Sequence, residues 1–75
     1  MPRSKPSLQR ALQENLKRER LSRGLTQEDL SAKCGYSIAY ISLLERGGRN
    51  APLGTVETIA DALGMEPVEL LRKVA

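Results

Sequence analysis

The chain contains no histidine, tryptophan or phenylalanine, a single cysteine, Cys34, and two aromatic residues, Tyr36 and Tyr40. Without histidine there is no imidazole for a general base, a Ser-His-Asp triad or a Cys/His zinc set, so no enzyme activity, metal or cofactor is expected. A lone cysteine closes no internal disulfide. Cys34 reads as a small core residue, and its free thiol fits a reducing, cytoplasmic compartment. Long apolar runs are missing as well, and none approaches the roughly 20 residues of a membrane span. Nothing alternates with period two and nothing repeats, which leaves helix as the building unit. The aromatic shortage hands the core to aliphatics, chiefly twelve leucines, and leucine favours helix over strand.

What is present fits one small domain of 75 residues with net charge +3, since chains this short rarely divide into two cores. The charge is unevenly placed. Residues 1–25 hold seven basic and two acidic side chains, residues 26–50 three and three, and residues 51–75 two and four. A basic front and an acidic back suit a partner that is a polyanion. Residues 1–6, with Pro2 and Pro6 around Arg3 and Lys5, carry no apolar periodicity and read as a flexible basic arm. Residues 7–75 read as the domain.

Five helices are expected within it. Ser7 is the N-cap candidate of the first, in which Leu8, Leu12 and Leu16 recur every four residues beside Ala11, and which ends near Arg23 before Gly24. Thr26 and Asp29 have the spacing of a capping box opening a helix over Gln27 to Cys34, with Leu30 and Cys34 inward and Gly35 as a left-handed stop. Ser37 caps Ile38 to Arg46, whose inner side carries Ile41 and Leu44 before Gly47-Gly48. Arg46 to Gly54 is a loop by composition. Thr55 is the cap candidate of a fourth helix with Val56, Ile59, Ala60 and Leu63 on one stripe, closed by Gly64. Pro67 opens a short fifth helix in which Val68 and Leu71 share a face. The fold class is therefore all-α, a compact bundle of about five short helices.

Two short helices joined at a glycine match the helix-turn-helix, whose second helix enters the major groove of DNA. The runs Gly24-Leu25-Thr26-Gln27-Glu28-Asp29-Leu30, Tyr40-Ile41-Ser42-Leu43-Leu44-Glu45-Arg46-Gly47, Arg49-Asn50 and Ile59-Ala60-Asp61-Ala62-Leu63-Gly64 resemble the phage-repressor and Cro-like, or XRE-type, regulators. The resemblance covers about Leu12 to Leu71 and implies a lambda-repressor-like DNA-binding domain. It implies that Gln27 touches a phosphate and braces the recognition helix, that Ser37, Ile38, Ala39, Ser42 and Leu43 face base edges or adjoining backbone, and that Arg46, Arg49 and Asn50 run beside the sugar-phosphate chain. It also implies a buried ion pair between Arg20 and Glu45. Tyr40 is a further candidate for a phosphate contact, or a half-buried ring. Lys17 and Arg18 are either phosphate contacts or a solvated helix face.

This sequence departs from the family where the base-facing positions, often Gln, Arg, Lys, Asn or Thr, are Ile38, Ala39 and Leu43. Such side chains make no bidentate bond to a purine but pack on thymine methyl groups, so T-containing half-sites with modest per-base discrimination are expected. The function expected is sequence-specific transcriptional regulation through double-stranded DNA. A homodimer on a partly palindromic operator is expected, with Leu70, Leu71 and Val74 as interface candidates, because one short helix reads too few base pairs alone. The alternative is a protein-interaction module, such as an antitoxin subunit bound to its toxin or a tether to a larger regulator, which the apolar Ile38 and Leu43 also suit.

Overall fold

The structure, a computed structural model, describes residues 7–73. The basic arm expected at residues 1–6 and the interface candidate Val74 lie outside these residues. Five helices follow one another: α1 Ser7–Ser22, α2 Gln27–Cys34, α3 Ile38–Glu45, α4 Leu53–Leu63 and α5 Pro67–Leu70. No strand occurs among the described residues. α1 packs on α3 and α5, α2 packs on α3 and α4, and α4 packs on α5.

The core is aliphatic throughout, built from Leu12, Leu16, Leu30, Ile41, Leu44, Val56, Ile59, Ala60, Leu63 and Leu70. Every helix contributes. Removing such side chains from water is the main favourable term, about 1.5–3 kcal/mol for each large aliphatic. Burial on α1 begins at Ala11 and Leu12, so Leu8, expected on the inner stripe, is instead exposed one turn ahead of the core.

The cap between α1 and α2 is local chemistry. The Thr26 hydroxyl accepts the N–H of Asp29 at 2.9 Å, and the Asp29 carboxylate accepts the N–H of Thr26 at 2.9 Å. That Thr26 N–H, together with the hydroxyl, holds the Asp29 carboxyl below its ordinary value of 3.8. A depressed folded-state pKa means that the cap's contribution is complete above the unfolded pKa and is lost as pH falls through the folded one. Thr26→Ala is expected to cost about 1 kcal/mol in urea unfolding at neutral pH; because it keeps the backbone N–H at position 26, the pH dependence is read in Asp29→Ala, whose difference from the parent is expected to shrink as pH falls below 3.8.

Three expectations about the C-terminal half are corrected. α4 starts two residues before Thr55, with Pro52 at the N-cap position, and Thr55 lies inside the helix, buried. Pro52 is extended, at φ −60° and ψ 155°, and makes no side-chain cap; its carbonyl accepts the N–H groups of Thr55 at 3.0 Å and Val56 at 3.1 Å and so opens the helix. α5 is a single turn, too short for an i, i+3 stripe to act. Val68 is consequently 63% exposed while Leu70, between the two predicted face positions, is fully buried. Leu70 is therefore core, and it is removed from the dimer-interface candidates; Leu71 is half-buried against the same core.

Two polar groups missed in the sequence hold the ends together. Asn15 is fully buried on the apolar stripe of α1; its Nδ2 donates to the carbonyls of Leu70 at 2.9 Å and Arg72 at 2.7 Å, and its Oδ1 accepts from Arg18 Nη2 at 2.6 Å. It satisfies carbonyls at the end of α5 that a short helix leaves open. Arg23, just past the end of α1, turns back so that its Nε donates to the Leu63 carbonyl at the end of α4, at 2.7 Å.

Candidate nucleic-acid interface

The central pair, α2 and α3, is joined by Gly35, Tyr36 and Ser37. Gly35 has φ +83°, a left-handed conformation that costs any residue with a Cβ and that ends α2 sharply enough to start α3 three residues later. The Ser37 hydroxyl accepts the N–H of Tyr40 at 3.1 Å and fixes the first turn of α3. The Ser31 hydroxyl donates to the Tyr36 carbonyl at 2.6 Å and closes the turn onto α2.

α3 is clamped from its inner side. Ile41 and Leu44 are buried in the core, and Glu45 is buried beside them. The Glu45 carboxylate accepts Arg20 Nε at 2.6 Å and Arg20 Nη2 at 3.0 Å, a bidentate pair, and also Gln27 Nε2 at 3.1 Å. Arg20 Nη1 donates to the Leu25 carbonyl at 2.6 Å in the α1–α2 connection. The hydrogen-bonded carboxylate raises the Arg20 guanidinium above its ordinary pKa. One buried cluster thus ties α1, the start of α2 and the end of α3. No buried side-chain nitrogen or oxygen among the described residues lacks a partner, the condition for a buried ion pair to be tolerated.

The other side of α3 faces solvent. Ser37, Ile38 and Ala39 are exposed at its start, and Ser42 and Leu43 are half-buried further along. Leu43 leans toward the loop: a Cβ on Gly48 would lie 3.2 Å from Leu43 Cδ2, so the glycine gives this side chain its room. Gly47, at φ +75°, and Gly48 donate to the carbonyls of Leu44 at 3.2 Å and Leu43 at 2.8 Å, closing α3 with a Schellman turn. Gln9 Nε2 reaches the Gly47 carbonyl at 3.4 Å and ties this loop to α1. Arg46, Arg49 and Asn50 are exposed along the loop, and among the described residues no carboxylate pairs with either arginine. Tyr40 is a half-buried ring, tilted on Tyr36 with centroids 5.3 Å apart. Lys17 and Arg18 are exposed on α1, where they line a shallow groove that also includes Glu45 of α3, and Arg18 is bonded to Asn15.

A protruding helix of uncharged short side chains, two unpaired arginines at its end and a rigid buried brace behind it form the geometry of a helix-turn-helix reading head. Residues 16–70 match the family model described as helix-turn-helix, of the XRE or Cro/C1 type. The chain belongs to the XRE-type helix-turn-helix family. Members of this family are DNA-binding transcriptional regulators. Among similar proteins, the HTH-type transcriptional regulator y4dJ of Sinorhizobium fredii is 47% identical over 57 residues, covering 76% of this chain and 74% of that protein. Control protein C.BamHI of Bacillus amyloliquefaciens is 45% identical over 53 residues, covering 69% of this chain and 65% of its own length, so the chain spans less than two thirds of that relative. The crystal structure of the hypothetical transcription factor NHTF from Neisseria superposes with a TM-score of 0.85 at 33% identity, covering 97% of this chain and 87% of that one. For this XRE-type domain, no helix among the described residues is long and apolar enough to cross a membrane.

Proposed function

We propose that the chain is a sequence-specific regulator that inserts α3 into the major groove, reading bases with Ser37, Ile38, Ala39, Ser42 and Leu43. Arg46, Arg49, Asn50 and the Tyr40 hydroxyl hold the adjoining phosphates, while Gln27, bonded to Glu45, keeps α2 and α3 in register beside the backbone. The single observation that carries this reading is the asymmetry of α3: its inner side is locked into the core by Ile41, Leu44 and Glu45, while its outer side offers hydroxyl and apolar groups with unpaired arginines at one end.

The length of α3 supports a homodimer. Eight residues at 1.5 Å each make a helix about 12 Å long, which touches too few base pairs to be selective. Two-fold pairing places two such helices about 34 Å apart, one turn of B-DNA. With Leu70 in the core, the interface candidates on α5 and just beyond it are Val68 and Leu71.

Fluorescence anisotropy with random-sequence duplexes across a salt series tests the DNA reading. Each phosphate neutralised contributes about −0.9 to the slope of log affinity against log salt, so a steep negative slope is expected. A flat, weak response would contradict it and favour the protein-interaction alternative, for which the 44% exposure of Ile38 speaks.

A further inference from the structure

Tyr36 has no place among the expected contacts, yet it touches α2, α3 and α4. Its carbonyl accepts the Ser31 hydroxyl of α2 at 2.6 Å. Its ring lies against Tyr40 of α3, with centroids 5.3 Å apart and planes inclined by 49°. Its hydroxyl donates to Thr55 Oγ1 of α4 at 3.2 Å, and Thr55 is buried. α3 is supported by packing on α1 and α2, and the Tyr36–Thr55 bond carries the turn in front of it across to α4. Thr55 lies in the first turn of α4, three residues after Pro52, at the far end of the loop that bears Arg49 and Asn50.

We propose that Tyr36 and Thr55 form a strut that sets the distance between the base-reading helix and the phosphate-holding loop, and so act as positioning residues for sequence discrimination. The inference rests on the DNA reading above. Phosphate contacts fix register without carrying sequence information, and base contacts discriminate only when that register is right. A strut between the two parts therefore acts on the ratio of specific to non-specific affinity. Non-specific binding needs the charges near the duplex but not the reading helix at a fixed height, so it does not depend on the strut.

The test uses Tyr36→Phe and Thr55→Val, which remove the donor and the acceptor while keeping ring and shape, and Thr55→Ser, which keeps the hydroxyl. Anisotropy is read on the duplex that the parent chain selects from a random pool and on a random-sequence duplex, alongside thermal melting. Tyr36→Phe and Thr55→Val are each expected to weaken the selected duplex about five-fold, the scale of one neutral hydrogen bond, with random-duplex affinity within about two-fold of the parent. The double variant is expected to lose no more than either single one, since both remove the same bond, and Thr55→Ser to match the parent. An unchanged ratio in Tyr36→Phe, or affinities for both duplexes falling in proportion with the melting midpoint, overturns the strut and leaves the DNA reading standing. A parent chain that selects no duplex overturns that reading, and the strut with it.

Discussion

Arg20→Ala is expected to remove most of the domain's stability. Its partner Glu45 would remain in the core with its side chain 4% exposed, and stranding a buried charge costs about 3–5 kcal/mol. A chain of this length has roughly 4–11 kcal/mol in total, at 0.05–0.15 kcal/mol per residue. Arg20 also satisfies the Leu25 carbonyl, so the connection into α2 loosens together with the end of α3. Urea unfolding should show the midpoint collapsing, with Glu45→Ala comparable. Arg20→Met combined with Glu45→Leu should recover much of the loss, because replacing a buried pair by apolar groups of similar volume is far less costly than breaking it. A loss below about 1 kcal/mol, the range of exposed pairs, in both single variants would show that the cluster is not the brace that holds α3.

The second large effect is on binding. Arg46→Ala and Arg49→Ala are each expected to lower affinity roughly ten-fold, the lower range for a hydrogen bond to a charged group, and to do so equally on every duplex. Each should also flatten the salt slope by about 0.9. Ser42→Ala and Leu43→Ala should behave differently, leaving the salt slope alone and changing which sequences are preferred. This contrast follows from geometry: the arginines stand on the loop with no acidic partner, whereas Ser42 and Leu43 stand on the outer side of α3. Equal loss on all duplexes by all four variants would mean that α3 is not the reading surface.

The parts of the molecule that were legible in the sequence are those decided within a few residues. Thr26 and Asp29 spell a capping box, Ser37 caps α3, and Gly35 and Gly47 occupy left-handed positions at helix ends; each is a local choice with little for tertiary structure to overrule. The parts that were not legible depend on distant partners. Thr55 has the chemistry of a cap, but it faces Tyr36 across the domain while Pro52 starts the helix. Leu70 is core because it ends a single turn that Asn15 pins to α1. Asn15 itself left a trace, a polar residue on an otherwise apolar stripe, three residues from Leu12. In the site, the Arg20–Glu45 bond joins residues 25 positions apart; the family resemblance pointed to it where residue spacing alone did not.

The gradient from a basic front to an acidic back takes on meaning in this fold. The reading helix α3 carries one charge, Glu45, and that is consumed internally. In the proposed reading, holding the duplex falls to the loop arginines and the wider positive field, and selectivity to small apolar and hydroxyl groups, for which thymine methyls are the natural partners.

Selection of bound duplexes from a random pool tests the central claim most directly, because it reports half-site, spacing and symmetry together. The expected outcome is enrichment of short T-containing half-sites in inverted repeat, centred about one turn of B-DNA apart, with modest discrimination at each base. A pool that emerges unenriched, or one enriched for asymmetric guanine-rich sites of the kind read by bidentate side chains, would contradict it.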